Sequence, residues 1–475
     1  MVRAPLRVNR LFPREIFRLS VLCAAAGAMS ACSSSSPYGS QNGRQASEGQ
    51  KAGLPVAFII SGDTAGWIMP CGCTANQSGG LSRRGTFVAR TRADHSVIVL
   101  DAGGAPGGTS PYERLKFEAI LAGESAMGIA AHNLGAPEAA LGAEYLRAVQ
   151  KKLGIPFLST NLRDASGAAL APASLEVRAP GSNLGILLLG VVSPRLIRGD
   201  LKAGEPRDAI LTAIKNAPAH DAVVVLAYLP DGELRQLASE LPEVDAVLGG
   251  PTGQSIAPYR AGPTWVGSAT NKGKFLIELD KSASAAAWSA KVIELNPSIA
   301  DDPAQERNLA EFRTQLARLD FTAEQSGLAP PPPKEEHGFR IAGTSSCTAC
   351  HLEESEVYKH SKHSIAWHTL EDRGLHIDPQ CQTCHTTGYG QPGGFQSVSR
   401  GLERTSVGCE SCHGPSQGHA LEPRKRTPFV ARDQCITCHD RENSPQFSFD
   451  EFWKRIVHGK KGGTAVLEKV RKEHP

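Results

Sequence analysis

The chain has 475 residues, 40% hydrophobic and 21% charged, with 51 Lys and Arg against 48 Asp and Glu for a net charge of +3. Single hydrophobic cores stop growing well short of this length, so two folded units are expected. So small a net charge, with no basic block dominating any segment, excludes nucleic acid as a partner and gives no reason to expect an anionic membrane surface.

Residues 1–31 carry Arg3, Arg7, Arg10, Arg14 and Arg18, then the apolar "VLCAAAGAM" and the small "SAC". This is the order of an export signal. Cys32 directly after Met29-Ser30-Ala31 also resembles the bacterial lipobox, which implies a lipid on Cys32 as membrane anchor; ordinary signal cleavage is the alternative reading. Residues 32–53, rich in Ser, Gly and Gln, read as a flexible tether. No later run approaches the roughly 20 apolar residues of a spanning helix. The expected location is therefore periplasmic, or at the outer membrane as a lipoprotein.

Residues 54–300 alternate apolar runs with helical stretches. "PVAFII", "SVIVLD", "IPFLST", "LGILLLGVV", "AVVVLAYL", "DAVLGG" and "KFLIELD" read as buried strands; "SPYERLKFEAILAG", "PEAALGAEYLRAVQKKLG" and "DGELRQLASEL" read as helices between them. The fold class is α/β.

Several strand ends here, "ISGDTAGWIMPCGC" with "GGLSRRGTFV", "VLDAGG", "NLGAPEAALG", "FLSTNL", "VLAYLP" and "VLGGPTG", resemble the calcineurin-like metallophosphatases, in particular the periplasmic 5′-nucleotidase branch. The resemblance implies a two-sheet α/β sandwich with its site at the strand ends. A two-metal phosphatase needs carboxylates and imidazoles to clamp a phosphoryl group and activate water. Against the family pattern Asp63 is kept. Ala65 stands where the first His is expected, Gly104 for the bridging Asp, Ala136 and Pro137 for the Asn and the catalytic His, Tyr228 for the strand-end His, and Pro251 and Gly253 for the last two ligands. The resemblance thus implies a metallophosphatase-like domain that has lost its metal ligands. Cys71 and Cys73 would lie beside this site, as a small disulfide, as packed thiols, or as a redox or metal centre.

Residues 301–343 hold a helical pattern, "PAQERNLAEFRTQLARL", followed by Pro330 to Pro333, and read as a helix and Pro-rich linker. Residues 344–475 contain "CTACH", "CQTCH", "CESCH" and "CITCH". Of twelve cysteines, Cys23 and Cys32 fall in the leader, Cys71 and Cys73 stand together, and the other eight are Cys347, Cys350, Cys381, Cys384, Cys409, Cys412, Cys435 and Cys438. Disulfides or zinc would not explain why His351, His385, His413 and His439 follow each pair. C-x-x-C-H is the attachment signal for c-type haem: two thiols add to the vinyl groups and the adjacent imidazole binds iron. Four c-type haems are expected. A region this polar and short of aliphatic runs cannot bury enough surface unaided, so a mostly irregular or α-helical tetrahaem domain is expected, its core supplied by porphyrin.

The four methionines, Met1, Met29, Met69 and Met127, all precede this region. Distal ligands must then be histidines, drawn from His360, His363, His368, His376, His419 and His458, or some iron is five-coordinate. "HLEESEVYKHSKHSIAWHTL" suits a helix that turns His368 away from His360 and His363, and "FDEFWKRIVHGKK" a short helix closed by Gly459 and carrying His458. "CQTCHTTGYGQPGGF", "VGCESCHGPSQGH" and "SKHSIAW" resemble the multihaem cytochromes c related to the tetrahaem electron carrier of ammonia oxidisers. That resemblance implies distal roles for His363 and His419, and that one haem is five-coordinate in many relatives.

The leading expectation is an extracytoplasmic electron carrier with redox-protein partners, its phosphatase-like domain serving for docking. The alternatives are a haem enzyme acting on a small nitrogen or sulfur species at an open iron, and a residual phosphoesterase.

Overall fold

The computed structural model describes residues 54–70, 77–181, 184–281, 288–331, 339–427 and 431–459. The signal, Cys32, the tether, Cys71, Cys73, Pro332, Pro333 and residues 460–475 lie outside them. The described residues all fall in one compact unit. None of the described helices is long and apolar enough to cross a membrane.

The strands, in chain order, are β1 (Val56–Ser61), β2 (Ser96–Asp101), β3 (Ile129–Asn133), β4 (Phe157–Leu158), β5 (Leu162–Arg163), β6 (Ser174–Arg178), β7 (Gly185–Val192), β8 (Lys202–Ala203), β9 (Ala222–Tyr228), β10 (Ala246–Gly250), β11 (Ile256–Ala261), β12 (Thr264–Ser268), β13 (Phe275–Lys281) and β14 (Trp288–Glu294). They build two six-stranded sheets, ordered β14-β13-β1-β2-β3-β4 and β11-β12-β10-β9-β7-β6, and a small β5-β8 pair. Within the first sheet β1 to β4 run parallel and β13 and β14 antiparallel. In the second, β7, β9, β10 and β12 are parallel, with β6 and β11 as antiparallel edges.

Strands buried on both faces need apolar residues at both parities, which is why the central runs are unbroken. In β1, Phe58 and Ile60 point into the layer between the sheets, with Leu100, Leu188, Leu226, Leu248 and Ile277. Ala57 and Ile59 point outward, into a cluster under helices α1 (Leu81–Thr91) and α2 (Pro111–Ala126). A third cluster covers the outer face of the second sheet with Ile210, Leu234 and Leu237 from helices Pro206–Asn216 and Asp231–Ser239. The architecture is a helix-sheet-sheet-helix sandwich, as expected.

Two local expectations change. Of "IPFLST" only Phe157 and Leu158 pair, against the short end of β3. The helix expected over residues 137–154 is split into Ala136–Ala139 and Ala143–Leu153 at Gly142, whose φ of 85° no other residue adopts cheaply. Helix Pro303–Leu319 has the expected bounds, is capped by the Asp302 carboxylate, and buries Leu309, Phe312 and Leu316 in the cluster shared with α1 and α2.

The C-terminal region is short helices joined by turns, as expected. The stretch expected as one helix after His351 forms Leu352–Lys359 and Ala366–Glu371, interrupted near His363, and the last helix spans only Phe449–Trp453. One small cluster, Ala323, Trp367, Leu370, Tyr389 and Phe395, is its described apolar core.

Candidate functional site

The four C-x-x-C-H segments define site 1 (Cys347, Cys350, His351), site 2 (Cys381, Cys384, His385), site 3 (Cys409, Cys412, His413) and site 4 (Cys435, Cys438, His439). Each is wound into a short helical turn, so that the second thiol and the imidazole follow the first within one turn. No disulfide links any of the eight thiols.

Three of the four imidazoles face a second one. The ring centres of His351 and His419 lie 6.2 Å apart, those of His439 and His363 6.2 Å, and those of His413 and His458 5.8 Å. An imidazole nitrogen sits about 2 Å from a bound transition metal, so two rings on opposite sides of one ion have centres about 6 Å apart. The pairs fit that requirement. Near site 4 a cavity of about 920 Å³ opens between His363, His385, Val407, Cys435, Cys438 and His439.

The outer contacts of these rings set their tautomers. Nδ1 of His419 donates to the Lys425 carbonyl at 2.7 Å, that of His458 to the Ile456 carbonyl at 2.8 Å, and that of His385 to the Ala366 carbonyl at 2.8 Å. A carbonyl only accepts, so Nδ1 carries the proton and Nε2 keeps its lone pair for a metal. Burial and the neighbouring imidazoles His439 and His385 push His363 below the usual imidazole range, and burial with His458 and His351 does the same to His413. Neutral rings are the ligating form.

Among the described residues no second imidazole faces His385. His368 is turned to solvent, its side chain 71% exposed, and bonds Glu371 at 2.8 Å. It is not brought to any site, because its helical turn points away from the packed face. His376 stands edge-on to Trp367, and His360 lines the cavity with its Nδ1 on the Glu356 carbonyl.

Packing gives the sites an order. Helix Cys409–His413 of site 3 packs against helix Thr344–Thr348 of site 1 and against the turn Ala431–Thr437 of site 4, and Cys384 of site 2 and Cys438 of site 4 line one cavity. The spatial order is 1-3-4-2.

In the α/β region the carboxyl ends of β1, β2, β3 and β9 converge on a second pocket, where Tyr228 takes the central place. A Cβ on Gly104 would lie 2.5 Å from the Tyr228 ring, and one on Gly135 would lie 2.7 Å from it. The ring and a carboxylate at position 104 cannot share this space. Asp63 accepts the Thr270 hydroxyl at 3.0 Å, and its burial raises its carboxyl above the usual range. Glu138 is spent on backbone, accepting the amides of Gly104 at 3.0 Å, Ala105 at 2.7 Å and Gly135 at 3.0 Å. Cys71 and Cys73 are outside the described residues.

Sequence reasoning missed a buried cluster beneath this pocket, Asp101, Glu124 and His132, whose donor atoms lie within 4.8 Å of one another. The Arg84 guanidinium lies 3.9 Å from Asp101 and 3.8 Å from Glu124 and supplies its cation. Partners so far apart along the chain leave no local pattern to read.

Opposed imidazoles beside paired thiols, repeated along a compact run of short helices, define a multihaem c-type cytochrome domain joined to an α/β sandwich. Residues 346–414 match the family described as "Cytochrome c554 and c-prime". Cytochrome c-554 of Nitrosomonas europaea is 30% identical over 165 residues, covering 27% of this chain and 67% of that protein. The chain belongs to the cytochrome c554 family. Among solved structures it is similar to the SoxB sulfate thiohydrolase of Thermus thermophilus in complex with glycerol, with a TM-score of 0.47 and 18% identity over 56% of this chain. It is also similar to a 5′-nucleotidase precursor of the same species, with a TM-score of 0.48 and 20% identity over 56% of this chain. The chain spans about three fifths of the length of these two structures, 62% and 60%.

Proposed function

We propose that this chain is an extracytoplasmic electron carrier with four covalently attached haems, exported through residues 1–31 and held at a membrane by a lipid on Cys32. Each haem, once bound, supplies a one-electron carrier. The observation that carries the reading is the set of three imidazole pairs with ring centres 5.8 to 6.2 Å apart, each pairing an attachment histidine with one from elsewhere in the chain. His351, His385, His413 and His439 would hold iron on the attachment side, and His419, His458 and His363 opposite sites 1, 3 and 4.

The α/β domain serves in this reading as a scaffold without phosphoester chemistry. Supporting this, Tyr228 fills the space between Asp63, Gly104 and Gly135, and Ala65, Pro137 and Gly253 have no donor side chain to offer a metal. The order 1-3-4-2 suits a relay whose ends are sites 1 and 2, with redox proteins as partners.

A second reading, a haem enzyme acting on a small ligand, draws on one observation, that among the described residues His385 has no facing imidazole. Both readings are tested on holo-protein matured in a cytochrome c-producing host. Four haems by pyridine haemochrome, with three low-spin signals and one high-spin signal in electron paramagnetic resonance, are expected. His363→Ala, His419→Ala and His458→Ala should each turn one low-spin haem high-spin. Haem content below four, or variants that leave the spectra unchanged, overturns the assignment.

A further inference from the structure

Among the described residues the α/β domain grips the attachment helix of site 2 directly, whereas near site 4 its Lys272 reaches only Glu442, three residues past His439. Asp378 caps helix Pro379–His385, its Oδ1 accepting the Gln380 amide at 2.9 Å. The same oxygen accepts the hydroxyl of Tyr112 at 2.6 Å. Tyr112 lies on α2, is 0% exposed, and packs edge-on to Phe321. Lys116, one turn along α2 and itself buried, reaches Gln380 Oε1 at 3.3 Å while bonding Glu113 at 3.2 Å. Its ammonium lies 4.9 Å over the Tyr112 ring.

The helix is held at both ends, by the α/β domain at its start and by the cytochrome region itself at its close. Tyr112 and Lys116 fix the start of the helix, and the Ala366 carbonyl fixes its last residue by orienting the His385 ring. Between them stand Cys381 and Cys384, with Cys381 packed against the small cluster of Tyr389 and Phe395. Burial, followed by the charge of Asp378, holds the Tyr112 phenol well above its usual range, so it stays a donor. A tyrosine placed only to fill the core could give its hydroxyl to any carbonyl. Here a phenol and a buried ammonium both end on the first residues of the attachment helix whose iron lacks a facing imidazole.

Resting on the assignment of His385 as the iron ligand of site 2, we propose that Tyr112 and Lys116 are positioning residues for this haem. Through them the α/β domain sets the ligand affinity and spin state of the one open iron. The domain's present work is then to shape a haem site rather than to hold a substrate of its own.

The test uses full-length holo-protein and cyanide as the probe. Tyr112→Phe and Lys116→Met should each shift cyanide affinity at the high-spin haem measurably, by moving the helix that carries His385. They should alter the high-spin resonance and leave the low-spin signals at their wild-type positions. Asp378→Asn keeps an oxygen that can both cap the helix and accept the phenol, and should stay near wild type. With four haems present, wild-type cyanide affinity and resonance in both Tyr112→Phe and Lys116→Met overturn the inference alone. So does a shift of all four haems together with a lowered melting temperature, which marks general packing. A wild-type protein with no high-spin iron, or with fewer than four haems, overturns the assignment beneath it as well.

Discussion

The two halves of this chain solve the folding problem with different materials. The α/β region buries three clusters of aliphatic and aromatic side chains around and between two sheets, at roughly 25 cal/mol per Å² of apolar surface removed from water. In the cytochrome region the buried residues include Gln382, Thr386, Thr387, Ser406, Glu410 and Ser416, and the described apolar core is one small cluster. Glu410 shows what holds such a region in place of an apolar interior: its carboxylate accepts the amides of Ala342 at 2.8 Å, Gly343 at 2.7 Å and Ser416 at 2.8 Å. These bonds fix loops, but they do not offset the conformational entropy of a region of roughly 100 residues. The difference leads us to expect that the second region needs its cofactors for stability while the first does not.

The largest expected effect follows from breaking that dependence. Expression in a host without cytochrome c maturation, or replacement of all eight attachment cysteines by Ala, should leave residues 344–459 open to limited proteolysis while residues 54–327 resist. Mass spectrometry of the fragments reads the result. Equal protection of both regions would show that the polar loops suffice without porphyrin, and the contrast would be lost.

A sharper version of the comparison sets the filled pocket of the α/β domain against the facing imidazoles of the cytochrome region. Restoring a carboxylate by Gly104→Asp puts a side chain onto the Tyr228 ring, and overpacking of this kind costs about 1–3 kcal/mol. The backbone there has φ of 85°, which adds strain of its own. Adding Tyr228→Ala should recover part of the loss, with a coupling of at least about 0.5 kcal/mol between the two positions in urea unfolding. Simple additivity would mean that the ring does not occupy the space where the bridging carboxylate belongs.

How much of this is legible in the sequence follows the same divide. The central strands are readable because strands buried on both faces are apolar throughout, as in "AVVVLAY" of β9. Edge strands β6, β11 and β14 escape because, being half-exposed, they have no unbroken apolar run to mark them. The periodicity of helix Pro303–Leu319 locates it but not its place in the core, since a helix pattern says which face is buried and not against what. The C-x-x-C-H pattern is legible outright, because the covalent attachment it signals demands fixed spacing. The opposing histidines are harder: in sequence His363, His419 and His458 stand among several candidates, and only its outward turn in the structure separates His368 from them. Tyr112, Lys116 and Asp378 are invisible, since a contact across 266 positions leaves no local trace.

The smallest expected effect also separates the halves, because it belongs to the α/β core alone. Glu124 is buried against His132 at 2.7 Å, and burial, opposed by His132, raises its carboxyl from 4.5 to about 7. Burial works against the charge of His132, but Glu124 and Glu138 outweigh it and raise that imidazole well above its usual 6.5. Both groups therefore hold protons more tightly in the folded chain than in the unfolded one. For Glu124 the stabilisation is complete below pH 4.5 and is lost as pH rises through about 7. Other carboxylates titrate in the opposite sense, so the difference between wild type and Glu124→Gln isolates this contribution. Thermal unfolding of holo-protein between about pH 5 and pH 8 should show a flatter dependence in Glu124→Gln, with haem spectra unchanged at every pH. Parallel curves would mean that Arg84, 3.8 Å from Glu124, already keeps the carboxylate charged in the folded chain.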